Sequence, residues 1–457
     1  MSETATQGAG AAGGLKRQIG LWSAIAIVIG TTIGSGIFRS PAGIADKLPG
    51  PLPLAIVWVA GGIFALCGAL SFSELASVFP RTGGIFVFIK EGFGRLPAFL
   101  FGWAELTVIR AAAVGAISTT FAEYFLRVMG FDTGEYARYV AAVAIVVMGT
   151  VNILGVRWGT LVIAVTTLAK YGGLIFIIAV ALTIGLPSTG GHYEPAMPEG
   201  SFTMGAFGLA LVSALWAYDG YADLSYTSGE VRDPERTMPR ALIGGTLAVI
   251  TIYLLANVAY LAVIPVDEMR RSPLVAADVA ERVLGSPGVI FVSVTVMLST
   301  WGTLTSSLFT SPRIFFAMAE DGLFFRPVAK VSRWGTPWVA ISINIVLGVI
   351  FVLVRNFEQL ADAFVTAILP FYALGVASLF VVRRRAGYAP KFRTPGYPVV
   401  PALFVASALY LLGNALVDST SRGPTALTLG IVLLGIPVFY FTVGKSDKRS
   451  RPGVDKY

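Results

Sequence analysis

About twelve continuous apolar stretches, each long enough to cross a bilayer as a helix, follow one another along the 457 residues. They lie near 19–45, 54–79, 97–127, 138–156, 158–186, 204–229, 241–264, 288–318, 336–354, 358–382, 399–417 and 425–443. A bilayer interior takes roughly 20 apolar residues as a helix. Every backbone polar group there must be satisfied within its own segment or around a closed barrel, and barrel strands alternate in polarity. These stretches are continuous, so an all-α integral membrane protein with twelve transmembrane helices is expected. The connections are short and hold no soluble domain. With 55% hydrophobic and only 13% charged residues, the composition excludes the soluble globular class.

Lysine and arginine crowd the connections on one side. Arg17, Arg81, Lys90, Arg95, Arg157, Arg232, Arg236, Arg240, Arg313 and the run Arg383 to Arg385 belong to that set, as does the basic C-terminal segment. The opposite set holds only Lys47, Arg127, Arg138, Arg270, Arg271, Arg282, Arg355 and Arg422. By the positive-inside rule both termini face the cytoplasm, with tails at 1–18 and 444–457, in a multi-pass protein of the cytoplasmic or plasma membrane. The net charge of +8 follows from this asymmetry, and no nucleic-acid motif accompanies it. Lys16 and Arg17 follow a polar tail and precede a long apolar run, a pattern unlike a cleaved signal peptide. Cys67 is the one cysteine and His192 the one histidine. An internal disulfide, a cysteine metal site, histidine zinc chemistry and a histidine proton relay are therefore excluded. No cofactor is implied.

Two spans are interrupted. In the first, IGLWSAIAIVIGTTIGSGIFRSPAGIA, Gly30, Gly34 and Gly36 stand among Thr31, Thr32 and Ser35. So many glycines make a poor helix, and backbone freed there must face protein or water. Read alone, Gly30 and Gly34 also fit a small-residue packing face. The sixth span, FGLALVSALWAYDGYADLSYTSGEV, carries Tyr218, Asp219 and Gly220 at mid-membrane; read alone, these fit polar residues on an internal helix face. Five helices separate the two interruptions. Two five-helix repeats, 19–186 and 204–382, account for this, with helices eleven and twelve at 399–443. Five is odd, so the second repeat enters from the opposite side. Paired breaks at corresponding helices point to a transporter's central site. Half-helix N-termini suit a carboxylate and freed carbonyls suit an ammonium, and an amino acid zwitterion carries both.

Lys170 stands deep in the fifth span, 158–186. A helix of that length rises roughly 43 Å and leaves Lys170 about 18 Å from its nearer end, beyond the reach of a snorkelling stem. A buried ammonium there must neutralise a charge or stand in for a cation. Pairing with a membrane carboxylate such as Glu105 is one option, and loss of its proton is another.

The motifs GTTIGSGIF, SFSELASVFPRTGG, GWAELTVIR, WAYDGYADLSYTSGEVRDPERTMPRA and SSLFTSPRIFFAMAEDG occur in the order found in amino acid–polyamine–organocation permeases. The resemblance extends over at least residues 20–325 and is strongest to the L-type amino-acid transporter branch. GEVRDPERTMPRA is its most specific element. The resemblance implies the LeuT-type fold of inverted repeats with broken helices one and six, itself a standard example of that architecture.

It further implies roles. Amides of Thr32 to Gly36, chiefly Gly34, Ser35 and Gly36, would hold the substrate carboxylate. Carbonyls around Leu215, Trp216, Ala217 and Tyr218, with those near Ile29, would receive the amino group. Trp216 would gate the site. Lys170 matches a lysine of sodium-independent members and would occupy the sodium position, tying the first helix to the eighth through Thr303, with Ser299 as second choice. Asp219, if it faces the site, would favour cationic side chains or carry a proton; otherwise it would pair with a basic residue. Asp223 is one turn further on. Ala222 replaces an asparagine common in large-neutral transporters, a departure that argues against large aromatic substrates. Glu74, Glu105, Arg110 and Arg39 read as structural charges. The loop between Arg127 and Arg138, where eukaryotic members carry the cysteine that links a glycoprotein subunit, has none; no disulfide-linked heavy subunit is expected.

The expectation is a sodium-independent transporter that exchanges neutral L-amino acids by alternating access, not an enzyme. A proton-coupled importer or a cationic amino acid or amine antiporter is the alternative. An intramembrane enzyme would need chemistry that only the Asp219–Asp223 spacing offers, and a channel would need polar rings along a pore.

Overall fold

Proline and glycine set the ends of the apolar stretches. Pro51 and Pro234 open long helices at positions whose amides need no helical partner, and Gly130 closes one in the left-handed conformation (φ 73°). The computed structural model describes residues 17–154, 159–330, 332 and 336–443; most of the expected tails, and Arg157 and Arg333, lie outside these. In chain order the principal helices are α1 (Leu21–Thr32), α2 (Gly36–Lys47), α3 (Pro51–Val78), α4 (Ile85–Phe93), α5 (Arg95–Met129), α6 (Thr133–Leu154), α7 (Gly159–Val180), α8 (Met204–Tyr218), α9 (Pro234–Val263), α10 (Val275–Leu284), α11 (Ser286–Thr310), α12 (Trp338–Val354), α13 (Phe357–Val382), α14 (Val399–Val417) and α15 (Arg422–Leu433). Among the described residues there is no strand, only an isolated bridge between Ile19 and Val231.

Nine helices among the described residues are long and apolar enough to cross a membrane, and ten if α1 and α2 count as one span bent by 41°. The remaining apolar stretches form shorter elements. The run near 336–354 gives the 17-residue α12, and the run near 204–229 gives the 15-residue α8 followed by a 3-10 segment, Asp223–Glu230. Burial grades the bundle. The most apolar window of α5 is 83% buried and that of α13 72%, against 28% for α14 and 22% for the span beginning at Arg422. The first two are therefore internal and the last two peripheral. Exposed leucine, valine and phenylalanine on the peripheral helices are what a lipid solvent permits.

Two of the irregular segments lie in the interior. In α5 a π-turn, Glu105–Ile109, interrupts the α-helix where Glu105 and Arg110 enter the core. Such bulges re-aim side chains. The chain leaves α8 at Asp219 in an extended conformation, and Gly220 takes φ 110°, a region that favours glycine.

Candidate functional site

The two breaks touch. A Cβ added to Gly36 would collide with the backbone of Ala217, and one added to Gly220 would lie 2.7 Å from the carbonyl carbon of Thr31. Only glycine at both positions lets the interrupted backbones approach this closely. Hydrogen bonds lace the crossing. The Thr31 hydroxyl reaches the Gly220 carbonyl at 3.0 Å, and the Tyr253 hydroxyl lies 3.0 Å from both the Thr32 and Ala217 carbonyls. Tyr253, from α9, is fully buried and offers one proton to two acceptors freed by the two breaks.

Helix interruption leaves orphan groups at each end. The amides of Gly34 and Ser35 make no hydrogen bond among the described residues, and α2 begins at Gly36 with Ser35 as its cap. A positive helix end with free amides thus faces inward. On the other break, no amide from Asp219 to Ala222 bonds back to α8, so carbonyls of its last turn stay open apart from that of Ala217.

Lys170 satisfies what α1 leaves behind. Its Nζ donates to the Gly30 carbonyl at 2.6 Å, the Ile33 carbonyl at 2.8 Å and Thr303 Oγ1 at 3.2 Å. Three donors meet three acceptors, and the side chain is 1% exposed. The Thr303 hydroxyl in turn lies 3.0 Å from the Ser299 carbonyl and 3.4 Å from that of Ile33, and Ser299 Oγ reaches the Ile33 carbonyl at 3.4 Å. An ammonium therefore joins α7, α1 and α11 at mid-membrane. It does not pair with Glu105, whose Oε2 accepts from Arg110 Nη2 at 3.0 Å and Nε at 3.3 Å.

Beside the crossing lies a cavity of about 40 Å³, bordered by Thr31, Gly34, Ser35, Gly36, Trp216, Asp219 and Thr303. Arg110, Ala113, Ile117, Asp223, Ser307 and Phe364 complete the wall. At roughly 10–15 Å³ per water, the space suits about three waters. Trp216 is one of the two aromatic residues on its wall. Its indole meets Phe364 edge-on at 5.1 Å and Phe357 at 6.0 Å between centroids, and its Nε1 is buried without a partner among the described residues.

Of the residues expected at the site, Ile29, Thr32, Leu215, Ala217 and Tyr218 do not border this cavity. The Ile29 carbonyl accepts from Ile33 at 2.9 Å and so closes α1. Tyr218 turns away, its hydroxyl donating to the Trp58 carbonyl at 3.0 Å. Asp219 faces the cavity and accepts from the Tyr372 hydroxyl at 2.6 Å. Asp223 is 7% exposed, feels the charge of Arg110, and forms no side-chain hydrogen bond among the described residues. Arg110 also donates to Ser307. In the sequence Arg110 reads as a structural charge, and Tyr253, Tyr372, Ser307 and Phe364 carry no signal of a role. They come from α5, α9, α11 and α13, and no local motif ties them to the breaks.

A polytopic helical membrane protein with two interrupted helices crossing at a small polar cavity has the make-up of a solute transporter. The chain belongs to the amino acid permease family, whose pattern matches residues 19–437. It is 32% identical to a serine/threonine exchanger of Bacillus subtilis (strain 168) over 432 residues, covering 93% of this chain and 97% of that one. Identity is also 32% to the human b(0,+)-type amino acid transporter 1, covering 96% and 91% of the two chains. The human large neutral amino acids transporter small subunit 2 is 32% identical across 95% and 82%. The chain is accordingly a multi-pass amino acid permease and not an enzyme.

Proposed function

We propose that this permease is a sodium-independent exchanger of neutral L-amino acids that works by alternating access, with both termini in the cytoplasm. The observation that carries the reading is the Lys170 ammonium on the Gly30 and Ile33 carbonyls and Thr303. A tethered cation holds the interrupted helix to α11, as a mobile sodium ion would, but cannot be transported. The serine/threonine exchanger and the large neutral amino acids transporter among the relatives support the same reading.

In this proposal the chain has twelve spans in a LeuT-type arrangement, with inverted repeats 19–186 and 204–382 and two further helices at 399–443. The substrate carboxylate sits on the amides of Gly34, Ser35 and Gly36, with Thr32 behind them. Its amino group meets the last-turn carbonyls between Leu215 and Tyr218. Trp216 closes over the substrate. Cys67 is buried in α3, which supports function without a disulfide-linked heavy subunit.

Exchange in proteoliposomes tests this. Uptake into vesicles preloaded with a neutral amino acid should exceed uptake into empty ones at least tenfold, unchanged when potassium replaces sodium. Equal efflux into amino-acid-free buffer would remove the exchanger claim, and stimulation by sodium would remove the surrogate role of Lys170.

One observation favours a second reading. Asp219 and Asp223 both border the cavity while Arg110 is already paired with Glu105, leaving an excess of carboxylate that a cationic side chain or a proton would offset. Competition by arginine, lysine and their amines separates the readings. If they outcompete serine or alanine in the native protein, and Asp223→Asn reverses that order, the cationic antiporter is correct. Uptake driven by an imposed proton gradient into empty vesicles would instead select the proton-coupled importer.

A further inference from the structure

The most specific sequence motif, GEVRDPERTMPRA, takes no part in the transport site. It forms the start of α9 at one membrane surface. At 1.5 Å per residue the 30-residue α9 is about 45 Å long, whereas the hydrocarbon layer takes only about 20 residues. The charge-free stretch Ala241–Val263 fills that layer, which leaves Arg236 and Arg240, one turn apart, at headgroup level. Further along the same helix, Leu247, Leu255 and Val258 are each about half exposed, as a lipid-facing stripe requires.

Between this helix start and the segment carrying Lys391 and Phe392 runs an open groove of about 620 Å³. Its lining combines three basic residues, Arg236, Arg240 and Lys391, and one acidic residue, Glu235, with the apolar Pro239, Ile243 and Phe392. The charges are unequally used. Lys391 pairs with Glu235, and Arg236 lies 4.0 Å from Asp233. Arg240 has neither an ion pair nor a side-chain hydrogen bond among the described residues. At Gly244, one turn beyond Arg240, a Cβ would meet nothing within 4 Å, so the groove continues along the helix into the apolar layer. The segment forming its other wall is fixed, because the Thr394 amide donates to Glu74 at 2.6 Å and Arg383 grips the same carboxylate.

We propose that this groove is a binding site for an anionic phospholipid. The guanidinium forks of Arg236 and Arg240 hold its phosphate, and Ile243, Gly244 and Phe392 receive the first methylenes of a tail. Guanidinium pairs phosphate through parallel N–H donors, and basic pockets at a helix surface select anionic headgroups. The apolar part of the lining distinguishes a lipid from a soluble phosphate. The inference is independent of which amino acid is transported.

Binding to the purified, delipidated protein tests it, by native mass spectrometry with phosphatidylglycerol, phosphatidylcholine and inorganic phosphate. Each arginine near an anionic group is worth on the order of a factor of five. Phosphatidylglycerol should therefore be preferred over phosphatidylcholine by about 25-fold, and the double variant R236Q/R240Q should abolish the preference. Gly244→Leu fills the groove on an exposed helix face, so folding is retained while phosphatidylglycerol binding falls about tenfold. Equal retention of the two lipids by the native protein would overturn the proposal. So would an unaltered preference in the double variant, or inorganic phosphate binding as tightly as the lipid.

Discussion

Lys170 is the residue on which the mid-membrane architecture depends. Its three acceptors belong to α1, the break after it and α11, and among the described residues no other cation donates to them. Replacing it with alanine strands the buried Gly30 carbonyl, a loss of about 1–3 kcal/mol, and leaves the Ile33 carbonyl only the long contacts from Ser299 and Thr303. Exchange by Lys170→Ala should therefore fall at least tenfold in proteoliposomes, and unchanged kinetics would refute its role. Tyr253 offers a finer probe. Tyr253→Phe removes one hydroxyl from two buried carbonyls on the two breaks, at a cost of about 1–3 kcal/mol. Both the melting temperature and the exchange rate should drop. The comparison is Tyr218→Phe, which loses only a bond to Trp58 in α3; it should lower stability with a smaller effect on rate. If the two variants behave alike, Tyr253 is merely a structural tyrosine.

At the scale of elements, the crossing of the two interrupted helices rests on glycine. Gly36 abuts the Ala217 backbone, and Gly220 combines a φ of 110° with contact to Thr31. Alanine at either position must push the breaks apart or strain the backbone, and off-centre catalytic or binding geometry is lost with small displacements. Gly36→Ala and Gly220→Ala should each reduce exchange more than tenfold. Gly172→Ala is the matched control, two residues from Lys170 in α7 with open space at its Cβ. It should be neutral or slightly stabilising, since alanine favours helix by about 1 kcal/mol over glycine. A Gly172 variant as damaged as the other two would show that the region tolerates no substitution and would remove the argument from close approach.

For the whole molecule, two ion networks tie together the elements around the cavity. On one side Arg39 of α2 meets Glu123 of α5 at 3.0 Å and Glu358 of α13 at 3.4 Å, donates to the Pro273 carbonyl at 2.8 Å, and lies over Phe357. Phe357 touches Trp216 in turn. On the other side Glu230 accepts twice from Arg313, at 2.6 and 3.2 Å, while its carbonyl receives the amides of Gln18 and Ile19. The alternating access proposed above requires these networks to open in turn, so weakening one should bias the population toward that side. A cysteine at Ala113 on the cavity wall, in a Cys67→Ser background, reports this through labelling by an impermeant maleimide. Arg39→Gln should raise its labelling from the Arg39 side at least tenfold, a shift of about 1.4 kcal/mol, and Arg313→Gln should raise it from the opposite side. Labelling that rises equally from both sides would mean the networks only hold the fold together.

Sequence by itself determined the solvent, the helical class, the two breaks and the importance of Lys170, because each is a property of contiguous residues. Apolar length reports the bilayer, glycine density reports a weak helix, and a lysine in the middle of an apolar run has nowhere to go. Tertiary structure alone decided the partners. That Lys170 meets Gly30 and Ile33 instead of Glu105, that Asp219 takes the Tyr372 hydroxyl, and that Tyr253 bridges both breaks depend on residues up to 221 positions apart. Periodicity shows that a helix has an internal face but not which neighbour that face meets. Side-chain direction at an irregular turn is less legible still: the π-turn at Glu105–Ile109 places Glu105 and Arg110 against each other in the core, and only packing fixes where such a turn falls.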